Sequence, residues 1–159
     1  TQEKQAEIVA QLVSEVSANS NANQYEAKDI KIIKDSSPEA VKKYWQDFNA
    51  TFLKYSYKEL GTELEMLKNA LAKEDLSLPS KLAKSEEAYQ KIVGGLLQVS
   101  VPEKMTKKHL LLINSLASMA ESVELMAKVF ADPLSALIAI KPYQDSAKIL
   151  VENFKNQKI

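Results

Sequence analysis

The chain of 159 residues is 45% hydrophobic and 26% charged, and its 21 basic side chains balance its 21 acidic ones. It contains no cysteine, which excludes disulfides and sulfur-ligated metals, and no apolar run approaches the roughly 18 residues that span a bilayer. All the basic residues are lysines, so the chain lacks both the arginine forks and the positive surplus with which proteins grip nucleic acid. We therefore expect no nucleic-acid partner.

The first 35 residues predict a helix, a linker and a connector. One helical face over residues 2–18 collects Val9, Leu12, Val13 and Val16. An asparagine-rich linker follows at residues 19–23. We therefore divide the chain into an N-terminal helix with its linker, residues 1–24, and a helical bundle domain, residues 25–159. Within the domain, residues 25–35 read as a connector that docks its isoleucines, Ile30 and Ile32 among them, on the core.

A second helix is predicted from Pro38 to about residue 73. Ser37 is a favourable N-cap, and proline suits the first helical position because its missing N–H has no intrahelical partner there. Gly61 lies where one apolar stripe gives way to another and marks a bend. The two stripes are Val41, Trp45, Phe48, Phe52 and Tyr55, then Leu60, Leu64, Leu67 and Leu71.

Residues 76–80 end that helix, and a third is predicted from there to about residue 99. Its inward side chains are Leu82, Tyr89, Ile92, Val93 and Leu96. The pair Gly94-Gly95 inside it costs on the order of 1 kcal/mol per glycine relative to alanine. Close contact with a neighbouring helix is the plain explanation, and a hinge is the alternative.

The fourth and fifth helices are predicted over residues 102–130 and from Pro133 onward, with a kink at Pro142. Short breaks between long amphipathic helices predict an all-α fold, an up-and-down bundle of four to five antiparallel helices. The fourth helix has the spacing of a bundle seam, His109, Ile113, Leu116, Ala120, Val123, Ala127 and Phe130. The fifth places Leu134, Leu137, Ile138, Tyr143, Leu150 and Phe154 inward.

Several short sequence motifs of the chain resemble those of a group of known proteins. They are Tyr25-x-x-x-Asp29-Ile30-x-Ile32-Ile33-x-Asp35-Ser36-Ser37, Glu39-Ala40-x-x-x-Tyr44, Val101-Pro102, His109-Leu110-x-Leu112-x-Asn114 and Asp132-Pro133-x-x-Ala136-x-x-x-x-Lys141-x-Tyr143. Together they resemble uncharacterised helical proteins of candidate-phyla bacteria with small genomes, over about residues 25–145. The resemblance carries no assigned activity. It implies an N-terminal signal or membrane segment, which fits a chain that begins with Thr1, so we expect an extracytoplasmic location and membrane contact only through such a segment.

The ionisable residues predict no catalytic or metal site. His109 is the only histidine, so neither a di-iron bundle site nor the zinc sites built on several histidines can form. We expect it to be a core residue that bonds a backbone carbonyl. The pair Glu59 and Glu63 is expected on a solvated face, and Asn114 at the surface. We predict no enzyme, no cofactor and no metal.

An aromatic cluster is the one candidate for a binding surface. Six of the chain's eleven aromatic residues lie between positions 44 and 57. We expect Trp45 and Tyr55 in the core stripe, with Tyr44 and Tyr57 pointing sideways. One interpretation is a thick aromatic layer in the core. The other is a partner or ligand surface, because tyrosine and tryptophan dominate interaction hot spots. That surface is predicted to contain Tyr44, Trp45, Tyr55, Tyr57 and Tyr89.

Two functions fit these patterns. The first is a non-catalytic helical interaction or structural module of the bacterial cell envelope, with an unknown protein partner. The second is a helical sensor or small-ligand-binding bundle. A cavity above about 300 Å³ lined by Trp45, Tyr55 and Tyr89 would favour the ligand, whereas a solid core with an apolar surface patch would favour the protein partner.

Overall fold

The computed structural model of the protein describes residues 1–8, 10–11 and 24–155. Most of that length is helical, and two three-residue strands form a small sheet beside the helices. In chain order the helices are α1 (Pro38–Tyr55), α2 (Glu63–Lys73), α3 (Leu78–Leu96), α4 (Thr106–Met126) and α5 (Pro133–Lys155). The strands are β1 (Lys31–Ile33), which precedes α1, and β2 (Ser100–Pro102), which precedes α4.

The predicted all-α bundle is confirmed. Helix α4 packs along both α3 and α5 and carries most of the core seam. His109 in the first turn of α4 bonds Leu96 at the end of α3, so these two helices run in opposite directions. Tyr44 near the start of α1 meets the same histidine, whereas Phe154 near the end of α5 meets Phe48 of α1. Helices α1, α3, α4 and α5 therefore alternate in direction.

Two helix starts follow from their capping residues. The Ser37 hydroxyl accepts a hydrogen bond from the Ala40 N–H at 3.2 Å, and Pro38 occupies the first position of α1. At α5 the Asp132 carboxylate accepts from the Ser135 N–H at 3.3 Å, ahead of Pro133. Each cap satisfies an amide that has no partner within its own helix. The starts predicted at these two prolines are confirmed.

The prediction of one continuous helix over residues 38–73 is wrong. Helix α1 ends at Tyr55, and seven residues separate it from α2. Gly61 lies in the turn between the two helices and adopts a φ of 97°, a left-handed conformation that glycine favours. The two helices still follow each other along one side of the bundle, because the end of α5 contacts α1 while the beginning of α5 lines a groove with α2.

The connector forms a strand that the sequence analysis did not predict. Strand β1 pairs in parallel with β2, with Ile32 opposite Val101. Ile30 is buried as expected, but Ile32 and Ile33 are exposed, which corrects the expectation that the isoleucines dock on the core. The reason is the order of layers. Val101 and Pro102 of β2 are buried against the helices, and β1 lies outside them.

A side-chain amide fastens the connector to the bundle. Asn114 of α4 accepts a hydrogen bond from the Tyr25 N–H at 2.8 Å and donates to the Tyr25 carbonyl at 3.1 Å. The expected surface position of Asn114 is therefore wrong, since its amide replaces the strand partner that Tyr25 lacks. This contact holds Tyr25 against α4.

The buried seam of α4 follows the predicted spacing from His109 to Val123. The prediction fails at the far end of the bundle, where four side chains expected inside are exposed: Leu71, Phe130, Leu134 and Leu137. All four lie on α2, on α5 or in the turn between α4 and α5. No further helix of the described chain covers that end, so these apolar residues face solvent.

The glycine pair resolves into one tight contact. A Cβ built on Gly95 would come within 2.5 Å of the Thr51 methyl carbon of α1, whereas one built on Gly94 meets nothing within 4 Å. The predicted close helix–helix contact is therefore confirmed at Gly95 alone.

The N-terminal helix is described only in part. Residues 2–8 and 10–11 are helical, and Ile8 is exposed. The remainder of that predicted helix and the asparagine-rich linker lie outside the described residues. Within the described ranges, every helix is too short or too polar to cross a membrane.

Candidate functional site

The five aromatic residues predicted as one surface are distributed over several environments. Tyr44 and Tyr89 are 1% and 2% exposed, so these two side chains belong to the core and cannot contact a partner. Tyr55 and Tyr57 are half-buried, and the Tyr57 hydroxyl is hydrogen-bonded to Ser85 of α3. Trp45 is mostly buried, yet one part of it lines a surface cavity. The predicted sideways position of Tyr44 is wrong as well, because α1 turns that side chain toward α4.

Tyr44 is drawn inward by the buried histidine. Its Oη lies 3.0 Å from His109 Nδ1, and His109 Nε2 lies 3.1 Å from the Leu96 carbonyl oxygen. A carbonyl only accepts, so Nε2 carries the proton and Nδ1 accepts from the tyrosine hydroxyl. Burial lowers the pKa of His109 to about 4, and burial likewise raises the pKa of Tyr44. Both groups are neutral at pH 7, which confirms the expectation of a core histidine.

A second polar cluster surrounds Glu63, which is completely buried. Its carboxylate accepts from Tyr143 Oη at 2.6 Å and from Tyr89 Oη at 3.2 Å. The Gly61 N–H donates to both carboxylate oxygens at 3.0 and 3.1 Å. The pKa values of Tyr89 and Tyr143 are raised by burial, and the nearby Glu63 carboxylate raises both further. The cluster joins the break between α1 and α2 to both α3 and α5.

The expectation that Glu63 lies on a solvated face is wrong, because the side chain is buried. One signal could have revealed its position. Glu63, Leu67 and Ala70 are the buried residues of α2, spaced by four and three, so the acid continues an apolar stripe. Glu63 is closed to solvent, and both of its carboxylate oxygens accept hydrogen bonds from donors within the chain. The cluster therefore holds the fold together.

A cavity of about 400 Å³ opens beside Trp45 on the outer side of α1. Lys108 Nζ lies 5.5 Å from the centroid of the Trp45 ring, within the range of a cation–π contact. No carboxylate is among the residues that line the cavity, which are Pro38, Val41, Lys42, Trp45, Gln46, Asn49 and Lys104. The site therefore joins an apolar wall to positive charge.

An apolar groove lies at the other end of the bundle, between α2, α5 and the turn that precedes α5. Its volume is about 220 Å³, below the roughly 300 Å³ at which small-molecule pockets begin. Lys68 is its one charged residue. The apolar lining consists of Leu64, Leu67, Leu71, Val129, Pro133, Ala136, Leu137 and Ile140. We call this surface the α2–α5 groove.

Comparison with known proteins adds no relative to these observations. The chain has no significant match among protein-family models, curated proteins or solved structures. Among the residues that the structure describes, no three or more histidine or acidic side chains come together as a set of metal ligands.

Proposed function

We infer that the protein is a non-catalytic helical interaction module of the bacterial cell envelope, which binds an amphipathic helix of a partner protein in the α2–α5 groove. The observation that carries this proposal is the exposure of leucines on both walls of the groove. Leu71 of α2 is 49% exposed and Leu137 of α5 is 61% exposed. Contiguous apolar surface of this kind marks interaction sites on soluble domains.

The shape of the groove favours a helix as its occupant. Its walls are two helices, and a third helix packs into such a furrow by setting its own ridge of side chains between them. Fully burying one leucine side chain contributes about 1.5–3 kcal/mol, so Leu71 and Leu137 together would stabilise a complex substantially. Binding modes of this type are anchored by apolar residues three or four positions apart in the incoming helix.

The charge at the groove adds a requirement. In the described part of the chain, no carboxylate pairs with Lys68. An incoming helix with an aspartate or glutamate beside its apolar stripe would complement this ammonium group. The proposed partner is therefore an amphipathic helix with an acidic residue flanking its leucine-like side chains. The resemblance to candidate-phyla proteins supports the cell envelope as the place of the interaction.

Selection from a displayed library of helical peptides about four turns long tests the proposal. We expect the full chain to enrich peptides with apolar residues at three- and four-residue intervals and an acidic flank. Titration calorimetry with an enriched peptide should show affinity at least about tenfold weaker for Leu71→Glu and for Leu137→Glu.

Leu53→Glu is the matched control, because Leu53 of α1 is 70% exposed and does not line the groove. Its affinity for the peptide should equal that of the wild type. Peptides that bind Leu71→Glu and the wild type equally would contradict the proposal. Self-association of the chain that Leu71→Glu abolishes would assign the groove to a second copy instead.

The second candidate function, a small-ligand-binding bundle, is favoured by the cavity at Trp45. That cavity exceeds the size at which ligand sites begin, and it contains one of the five aromatic residues singled out from the sequence. Tyr55 and Tyr89 do not line it.

A further inference from the structure

We propose that the cavity beside Trp45 is a binding site for a small organic carboxylate with an apolar body. This site is separate from the α2–α5 groove, and the proposal rests on the second candidate function, the small-ligand-binding bundle, for which it names the class of ligand.

The walls of the cavity favour a ligand with an apolar body. Pro38, Val41 and Trp45 present carbon surface from successive turns of α1, and Phe48 and Tyr44 pack against the tryptophan ring from within the core. Burying an aromatic or branched aliphatic group there contributes about 25 cal/mol for each Å² of apolar surface removed from water. At about 400 Å³ the space suits one such group and excludes a large ligand.

The lysines around the cavity favour a ligand whose apolar body carries a single negative group. Lys42 and Lys104 line the cavity, and Lys108 holds its ammonium group over the Trp45 ring. No carboxylate of the described chain pairs with any of these three lysines. Three cations around an apolar wall create a local positive potential in a chain whose net charge is zero.

A carboxylate fits this arrangement better than a phosphate. Phosphate sites in proteins typically contain arginine forks or several backbone N–H groups directed at one point, and the lining here offers lysine ammonium groups, the side-chain amides of Gln46 and Asn49, and apolar carbon. A lysine binds an anion as a point charge, which is sufficient for a singly charged carboxylate whose apolar part supplies most of the binding.

The cationic side of the cavity is held in place by the small sheet. Lys104 lies two residues after the end of β2, and its backbone N–H donates to the Ser36 hydroxyl at 3.2 Å, just ahead of α1. The pairing of β1 with β2 thus brings a lysine from late in the chain to the first turns of α1. The cavity exists only when the two segments are joined.

Trp45 is the single tryptophan, so its fluorescence reports on the cavity directly. The experiment titrates the full chain with 3-phenylpropionate and, separately, with its uncharged amide, 3-phenylpropionamide. We expect a saturable change in tryptophan emission with 3-phenylpropionate at a Kd of about 1 mM or below. The amide should bind at least about tenfold more weakly, because it lacks the negative charge.

The double variant Lys42→Gln/Lys104→Gln tests the cations. It should raise the Kd for 3-phenylpropionate about tenfold. Lys73→Gln, at the exposed end of α2, is the matched control and should leave the Kd unchanged. Circular dichroism checks that each variant keeps its helices. Shifts of the Trp45 indole N–H resonance during titration would place the ligand at the cavity.

Three results would overturn the proposal. The first is an absence of saturable binding of 3-phenylpropionate at tens of millimolar, about ten times the expected Kd or more. The second is an equal affinity for acid and amide, which would reduce the site to a non-selective apolar patch. The third is an unchanged Kd in a correctly folded double lysine variant, which would remove the assigned role of Lys42 and Lys104.

Discussion

The two buried polar clusters of this bundle satisfy the hydrogen bonds of their buried groups in different ways. At the start of α1, the Tyr44–His109 pair is neutral, and the hydroxyl and both ring nitrogens have a hydrogen-bonding partner. At the start of α2, the Glu63 carboxylate collects donors from Tyr89, Tyr143 and the backbone of Gly61. A neutral pair tolerates an apolar surrounding, whereas a buried acid group requires several donors. The first cluster fits within an aromatic layer, and the second needs three parts of the chain.

The largest expected effect lies in the aromatic layer. Trp45→Ala should lower the free energy of unfolding by about 3–5 kcal/mol, because it leaves a cavity between Phe48 and the surface. Urea denaturation of the variant measures this loss. Leu53→Ala, an exposed leucine on the same helix, should change stability by no more than about 0.5 kcal/mol. Equal stability of both variants would show that Trp45 contributes nothing to the core.

The neutral cluster should respond to acid. His109 has a folded pKa of about 4 against an ordinary value of 6.5, so the unfolded chain binds a proton first. Stability is therefore complete above pH 6.5 and falls as the pH drops toward 4, by about 3 kcal/mol from this residue. Comparison with His109→Gln across that range isolates the contribution. If the two proteins lose stability in parallel, the histidine does not carry the effect.

The cluster around Glu63 should respond to loss of one acceptor. In Glu63→Gln, one carboxylate oxygen becomes an amide NH2, which places two buried N–H donors among the donors from Gly61, Tyr89 and Tyr143 that the carboxylate accepts. We expect a loss of about 1–3 kcal/mol, since a buried donor is left without a partner. Glu65→Gln, an exposed position in the same helix, is the control and should be near neutral. A Glu63→Gln variant as stable as the wild type would contradict the prediction.

The smallest effects separate the two glycines that lie between the clusters along α3. Gly95→Ala should destabilise by about 1–3 kcal/mol, because the new methyl group meets Thr51 of α1. Gly94→Ala should stabilise by about 0.5–1 kcal/mol, since nothing lies near its added methyl group and alanine favours a helix. Thermal melts of the two variants give the comparison. Shifts of the same sign would contradict the assigned contact.

Local signals predicted the fold, and the failures share one cause. The caps at Ser37 and Asp132 and the heptad seam of α4 act within a few residues, and each lies where the sequence predicted. The helix expected through residues 56–62 failed because its apolar spacing continues across a break that Gly61 and the Glu63 carboxylate stabilise. Spacing alone does not distinguish a bent rod from two rods in line.

The binding surfaces were less accessible to sequence reasoning. Trp45 was found because aromatic residues are concentrated in α1, but its cavity needs Lys104, which is 59 positions away and arrives through the pairing of β1 with β2. The leucines of the α2–α5 groove were expected inside, because an amphipathic stripe does not show whether another helix will cover it.

The sequence by itself determined most of the helical segments, where two of them begin, and that the single histidine would pack in the core and bond a backbone carbonyl. It could do so because capping, helix propensity and apolar periodicity act between neighbours along the chain. Only the tertiary structure decided which apolar stripes are left uncovered, that Glu63 is buried among tyrosine hydroxyls, and that Lys104 lies beside the same cavity as Trp45. Those outcomes depend on groups far apart in the chain, and no local pattern records the meeting of such groups.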